Sequence, residues 1–383
     1  MTKKKVLFFI HGLSTGGAET LVKNYFLNFD RNRFETVLLC LNHEKDSPYE
    51  DVLKKNEARV ICADDYIFCK KKNIFTKVFN HFYRYLIVRK IIRRESPDIL
   101  HTHLTVNDYV RFARPKRDTI IFHTVHAEPS ILWSKKKKGG VKDYKAAKWL
   151  IKHNGMRFIV LHEEMRKNIN KIFNVSNTIV LNNGIDVNVF KKPENMNTIR
   201  EQLKIPKKAF VVGHVGRFSE AKNHKFLIDI FIEILLKNED AILLMVGDGP
   251  DKDRIIKILE EKNIQEKYLI LSNRDDVQKI LSSMDVFVFP SLYEGLPLSL
   301  VEAQIARRPC FISDRINERA IISNLVNVLS LDSGPDKWAE EIIKYKKPNK
   351  IIVNEDDWDI KKITKELEQI YLNALTEKDN GKK

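Results

Sequence analysis

The chain has 383 residues, of which 43% are hydrophobic and 31% charged. That length supports two to three domains, and the ordinary aromatic content without a dominant low-complexity tract excludes a fibrous or disordered chain. The net charge of +16 is uneven: residues 1–190 hold 35 Lys and Arg against 19 Asp and Glu, and the remainder holds 32 against 32, so an anionic surface is the expected partner of the N-terminal half, the alternative being a solvated lysine-rich face.

The opening MTKKKVLFFI places only five apolar residues before His11. A secretory leader needs roughly 7–15, and no window approaches the roughly 18 apolar residues of a membrane span. The expected location is the cytoplasm. KVLFFI, FETVLLCL, ARVICA, DILHTH, TIIFHTVH and RFIVLH are apolar runs of strand length, several separated by longer amphipathic stretches such as IFTKVFNHFYRYLIVRKIIRRE. Such alternation predicts an α/β fold with parallel sheets built from βαβ units. The polar stretch from Asn182 to Lys208, with Pro193 and Pro206, reads as a linker. The pattern restarts with AFVVGHVGRF and continues through HKFLIDIFIEILLKN, AILLMVGDG, YLILS, VFVFP and PCFIS. DWDIKKITKELEQIYLNAL is a last amphipathic helix. The expected domains are therefore 1–190 and 191–360, followed by a terminal helix and tail over 361–383.

In open parallel sheets ligands bind beyond the carboxyl ends of the strands, so the loops there carry the candidates. In STGGAET, Gly16 and Gly17 let the backbone approach a ligand, and the following helix offers unpaired N–H groups. A tight turn explains the same residues without a ligand. In VGRFSEAKNH, Arg217 and Lys222 are two cations at a sheet edge that can clamp a diphosphate, or simply an exposed basic loop. PSLYEGLPLSLVEAQ carries Glu294 and Glu302 with seven residues between them. Ser299 and Glu302 fit a capping box, S-x-x-E, which needs no ligand. Glu294, in a loop before Gly295, has no such structural excuse. Two carboxylates around a helix start suit the hydroxyls of a sugar nucleotide, with phosphate between them.

With GGAE at Gly16–Glu19, HTVH at His123–His126, NNGID at Asn182–Asp186, VGRF and KNH within Val215–His224, VGDGP at Val246–Pro250 and the E-x7-E stretch Phe289–Gln304, the chain resembles family 4 glycosyltransferases over nearly its whole length. The resemblance implies the GT-B fold: two Rossmann-like domains facing each other across a cleft, with the C-terminal helix crossing back to the first. It implies that Arg217 and Lys222 neutralise the donor diphosphate. Backbone amides near Leu298 and Ser299 would hold phosphate, and Glu302 would accept from the ribose. Glu294 and Gly295 would lie at the donor sugar, His126 beside that sugar and the β-phosphate. Gly16 and Gly17 would leave room for substrates, and Asn273 and Arg274 would lie near the base. Ser272-Asn273 departs from the family's glycine, and Arg307-Arg308 from its small residues.

The expected activity is retaining, metal-independent transfer of a hexosyl group from a nucleotide diphosphate donor, a UDP-sugar, to a hydroxyl of a lipid-linked or oligosaccharide acceptor in capsule, exopolysaccharide or related glycoconjugate synthesis. No cofactor is expected. His101, His103 and His123 read as structural. The D-x-D triplets Asp251-Lys252-Asp253 and Asp357-Trp358-Asp359 read as helix starts, where acidic residues favour the helix dipole. Four scattered cysteines, Cys40, Cys62, Cys69 and Cys310, read as reduced thiols. The run Ser134–Asn154, flanked by Trp133 and containing Trp149, is a candidate docking surface for anionic lipid, so the enzyme is expected to be peripheral on the inner face of the plasma membrane. Rival readings are a nucleotide-sugar epimerase or phosphorylase on the same fold, and a nucleic-acid-binding protein suggested by charge alone, for which no RNA motif or basic recognition helix is present.

Overall fold

The structure is a computed structural model that describes residues 2–14, 16–44, 47–67, 74–133, 139–192 and 194–380, with the backbone alone for residues 74–78 and 131. The chain divides into two units. The first is Met1–Ser14, Ala18–Gly184 and Ile360–Lys383, and the second is Thr15–Gly17 with Ile185–Asp359. The seams lie close to the boundaries at 190 and 360 read from sequence.

The first unit holds a seven-stranded parallel sheet of β1 (Lys4–Ile10), β2 (Phe34–Cys40), β3 (Arg59–Cys62), β4 (Ile99–His103), β5 (Ile120–Val125), β6 (Arg157–Val160) and β7 (Ile179–Val180). Their order is β3-β2-β1-β4-β5-β6-β7. The central strand reads as an unbroken apolar run because helices cover both faces of such a sheet, and Val6, Leu7, Phe8, Phe9 and Ile10 are all fully buried. The last helix, Ile360–Asn380, belongs to this unit. Its residues Ile360, Ile363, Leu367, Tyr371 and Ala374 recur at helical spacing and enter the same core as Phe8 and Phe34. Burying a side chain as large as Tyr371 contributes about 2–3 kcal/mol, and its hydroxyl is hydrogen-bonded to His101 Nδ1 at 2.5 Å. Glu368 adds a polar latch, accepting from the amide of Asp30 at 2.7 Å. The C-terminal helix therefore returns to the first domain, as expected.

The second unit repeats the plan with six parallel strands: β8 (Phe210–Val215), β9 (Ala241–Val246), β10 (Tyr268–Leu271), β11 (Val286–Phe289), β12 (Cys310–Ser313) and β13 (Val326–Leu329). The order is β10-β9-β8-β11-β12-β13. In both sheets the chain runs outward from a central strand, returns, and builds the other half, so strand order reverses between β1 and β4 and again between β8 and β11.

The stretch read as a linker is built into the second unit. It forms the short helices Val187–Phe190 and Met196–Gln202. Arg200, 3% exposed, donates to the carbonyls of Ser283 and Lys207 and pairs with Asp285 at 2.7 Å. Composition hid this element because a buried guanidinium with every contact satisfied looks, in sequence, like a solvated one. Pro193 lies outside the described residues.

Candidate active site

In the second unit the reversal of strand order decides where a ligand fits. Strands β8 and β11 are neighbours in register, Val212 opposite Val286 and Gly213 opposite Phe287. The segments that follow them leave the sheet side by side at the position where open α/β sheets bind ligands. The amide of Leu292 donates to the carbonyl of Ala221 at 2.8 Å and ties them together. Two expected site residues meet here. Lys222 Nζ lies 2.6 Å from Glu294 Oε1, with the side chains only 13% and 12% exposed. The ammonium also sits 4.5 Å from the centre of the Phe289 ring. A lysine carries three donors, so Glu294 fixes the cation in place while leaving it donors for a further anion. Arg217 is exposed and forms no ion pair among the described residues.

The VGDGP motif braces this arrangement from behind. Gly216 and Phe218 donate their amides to Val246 and Asp248, each at 2.9 Å, and Asp251 donates back to the carbonyl of Phe218. The approach is so close that a Cβ on Gly247 would stand 1.9 Å from the Gly216 carbonyl oxygen, and one on Gly249 would stand 2.2 Å from that of Phe218. These glycines are there because backbone packs on backbone. Beyond β10, Ser272 Oγ donates to the carbonyl of Gly247 and receives Lys252 Nζ. Asn273 is exposed with φ of 54°, while the Arg274 guanidinium is already held by Asp276 at 2.7 and 2.5 Å.

The helix carrying Glu302 begins two residues earlier than a capping box with Ser299 as N-cap requires. It spans Leu298–Ile305, its N-cap is Pro297, and no side chain caps it. Ser299 therefore lies inside the first turn, and Glu302 lies beyond the position from which a capping-box glutamate reaches back. The capping-box reading is corrected: the pyrrolidine of Pro297, with its extended backbone, sets the helix start. Amides of Leu300 and Val301 return to the Pro297 carbonyl. Those of Leu298 and Ser299 have no carbonyl four residues back within the helix, which is the anion-binding feature of a helix N-terminus. Glu302 is 8% exposed and Leu298 6%.

In the first unit the corresponding reversal lies between β1 and β4. His11, just past β1, is bonded through Nε2 to Thr105 Oγ1, just past β4, at 3.1 Å. Gly17 opens the helix Gly17–Asn28, and a Cβ there would meet nothing within 4 Å, so packing places no demand for glycine at this position. The histidines at the ends of β4 and β5 form a contiguous group. His101 is held by Tyr371 and by Thr124 at 2.7 Å, His123 by Thr102 at 2.8 Å, and His103 Nδ1 lies 2.9 Å from His126 Nε2. Burial drives all four below the ordinary imidazole range, His126 to about 4 and His123 to about 3. They are neutral at pH 7. His101 and His123 are fully buried and bonded to core hydroxyls, so a packing role accounts for both.

Among the described residues, one group brings three different metal-ligand types together: His43, Cys62 and Asp65. His43 lies between Glu50, at 3.0 Å, and Asp65, at 2.8 Å, and these carboxylates raise its pKa. A protonated ring satisfies both acids without an ion. Cys69 lies outside the described residues, whereas Cys40, Cys62 and Cys310 are free thiols. Asp251 and Asp359 immediately precede the helices starting at Lys252 and Ile360.

The lysines at 135–138 also lie outside the described residues. The helix Gly140–Asn154 presents Lys142, Lys145, Lys148 and Lys152 as exposed residues, with Lys142 paired to Asp108 at 2.7 Å. Trp133 is half-buried. Its Nε1 donates to Asp143, and its ring packs edge-on against Phe173 at 4.8 Å. No described helix is long and apolar enough to cross a membrane.

Comparison with known proteins follows the same division. Residues 15–189 match the family model described as Glycosyltransferase Family 4, and residues 195–362 that of Glycosyl transferases group 1. EpsF of Bacillus subtilis (strain 168), which carries the name of a glycosyltransferase, is 27% identical over 399 residues, covering 100% of this chain and 99% of EpsF. The Escherichia coli UDP-Gal:alpha-D-GlcNAc-diphosphoundecaprenol alpha-1,3-galactosyltransferase is 30% identical over 257 residues, 64% of this chain and 66% of that protein. Among solved structures, Anabaena HepE in complex with UDP and glucose superposes with a TM-score of 0.75 at 15% identity, covering 96% of this chain and 99% of that one. WaaG, a glycosyltransferase involved in lipopolysaccharide biosynthesis, gives 0.67 at 12% identity over 97% and 93%. The fold shared with these structures is GT-B.

Proposed function

Since this chain belongs to glycosyltransferase family 4, whose two models together span 15–189 and 195–362, we propose that it transfers a sugar from a UDP-sugar to a hydroxyl of a lipid-linked or oligosaccharide acceptor, with retention of anomeric configuration and without a metal ion. The observation that carries this reading is the pairing of Lys222 with Glu294 at the β8/β11 reversal. It sets a cation, a carboxylate and a helix N-terminus within one set of loops. Arg217, Lys222 and the amides of Leu298 and Ser299 are assigned to the diphosphate, Glu302 to the ribose, and Glu294 with Gly295 to the transferred sugar. Asn273 and Arg274 are assigned to the base. His126, on the first unit, and the Gly16-Gly17 turn are assigned to the sugar and its β-phosphate.

In the proposed reaction the bond from the sugar's anomeric carbon to the β-phosphate oxygen breaks. A bond to the acceptor oxygen forms on the same face, and the acceptor proton passes to a β-phosphate oxygen. Negative charge grows on the leaving diphosphate, and fixed cations and amides stabilise it there more than in the ground state. Two arginine and lysine charges do the work a divalent ion would otherwise do. Names of the relatives support the acceptor class: a diphosphoundecaprenol-linked sugar for the E. coli enzyme, and capsular polysaccharide biosynthesis for CapH of Staphylococcus aureus, 24% identical over 384 residues. Exposed lysines on the helix Gly140–Asn154 support a location against anionic lipid at the inner membrane face.

The test is a panel of nucleotide sugars incubated with the chain in the presence of a chelator, following nucleotide release and the anomer formed. Release of UDP from one UDP-sugar, increased by a lipid-linked acceptor and yielding the donor's anomer, is expected. An absolute need for added divalent ion, or inverted product, would overturn the corresponding part. Release of free sugar as the sole activity, with every acceptor inert, would favour a hydrolysing epimerase.

A further inference from the structure

His103 has no assigned role, yet its hydrogen bonding constrains the chemistry of His126. Its side chain is fully buried, enclosed by the tilted ring of His101 at 4.3 Å and the stacked ring of Phe8 at 5.9 Å. Its Nδ1 faces His126 Nε2 at 2.9 Å, and its Nε2 is buried with no hydrogen-bond partner among the described residues. Both rings are neutral because burial disfavours their cations. A neutral imidazole carries one N–H, so exactly two arrangements of the pair need comparing by energy.

If His103 held its proton on Nε2, that N–H would be buried without an acceptor. An orphaned donor of this kind costs about 1–3 kcal/mol. If the proton is on Nδ1, the N–H donates to His126 and the unpartnered atom is only a lone pair, the cheaper defect. The second arrangement makes His126 Nε2 the acceptor. The single proton of His126 must then sit on Nδ1, which has no protein partner among the described residues.

We propose that His103 is a positioning residue that locks His126 in the Nδ1–H tautomer, leaving Nδ1–H as the donor offered to an oxygen of the bound sugar nucleotide. This is the tautomer less populated by histidine in water, so the protein has to select it. The functional half of the inference rests on the assignment of His126 to the donor given above. The tautomeric half does not.

The test is long-range nitrogen–proton NMR of the full chain labelled with 15N-histidine, with the His126 signals assigned by loss in His126→Gln. A protonated Nδ1 and bare Nε2 at His126 are expected in the unliganded protein. A protonated Nε2 would overturn the inference without recourse to any other variant. In His103→Asn, whose amide can still donate from the same position, the Nδ1–H pattern should persist. In His103→Leu it should give way to Nε2–H, and an unchanged pattern there would also refute the role. With whichever UDP-sugar the panel finds active, turnover should fall about tenfold in His103→Leu at little changed KM and largely recover in His103→Asn. Equal turnover in the Leu and Asn variants would refute the functional half. If no UDP-sugar is turned over, the donor assignment fails while the tautomer measurement still decides its own question.

Discussion

Gly247→Ala tests how tightly the donor loop is held. The added Cβ would stand 1.9 Å from the Gly216 carbonyl oxygen, 3.0 Å from its carbon and 3.3 Å from Phe218 Cε1. Real Cβ atoms essentially never come within 3.0 Å of such an atom, so the two segments must part by roughly 1 Å. The Gly216 amide is itself bonded to Val246 at 2.9 Å, and Arg217 is the next residue, so the strain falls on the segment carrying it. Overpacking of this kind costs about 1–3 kcal/mol. For a unit the size of Ile185–Asp359, ~2 kcal/mol corresponds to a drop in Tm of about 4–8 °C. Displacing a charge-stabilising group by ~1 Å can cost on the order of 10²-fold in rate. Scanning calorimetry and steady-state release of UDP from the active donor would be measured together. A folded variant with wild-type KM and kcat would refute the reasoning that the brace positions Arg217. Gly17→Ala is the contrasting substitution: with nothing within 4 Å of its Cβ, stability should stay within about 0.5 kcal/mol, and lost turnover at unchanged stability would mark a ligand's space.

Glu294→Gln should leave UDP affinity within about threefold while lowering turnover tenfold or more, about 1.4 kcal/mol of transition-state stabilisation; equal losses in both would remove its assignment to the sugar. Stability should fall on acidification from pH 6.5 towards 4. His126 and His224 are held at about 4 and His123 at about 3 by burial, so below 6.5 the unfolded chain binds protons the folded chain refuses. Each contributes up to ~1.4 kcal/mol per pH unit in that window, and the full stability is present above 6.5. Urea midpoints that stay flat from pH 7 to 4.5 would contradict this. Replacing Lys145, Lys148 and Lys152 by Gln should weaken binding to anionic vesicles by about 1 kcal/mol per residue at low salt, and equal binding to neutral vesicles would refute the electrostatic docking.

The βαβ plan was legible because strands buried on both faces have to be continuous apolar runs, as in VLFFI and VFVF. What pairing brings together was not. Nothing local says that β8 lies beside β11, so the contact of Lys222 with Glu294, 72 residues apart in sequence, waits for the sheet order. A residue that satisfies itself in the core was misread from composition: Arg200, inside a supposed linker. Ser299 was taken for an N-cap because its spacing to Glu302 fits, whereas Pro297 fixes the start of the helix two residues earlier. The VGDGP glycines carried a usable signal. Two glycines after an apolar strand mark close backbone approach, and here they identify the brace behind the Arg217 segment. His103 had no such signal, since its partner lies on the neighbouring strand's end.

The most direct measurement is calorimetric titration of UDP, with chelator present, into the wild-type chain, Glu302→Gln and Arg217→Ala. No side chain caps the helix that carries Glu302, so Gln there should leave thermal stability near wild type. Charge-assisted hydrogen bonds are about twice as strong as neutral ones, and each substitution should weaken UDP about tenfold or more. UDP bound equally well by all three folded proteins, or bound by none until a divalent ion is added, would contradict a donor site built from these residues.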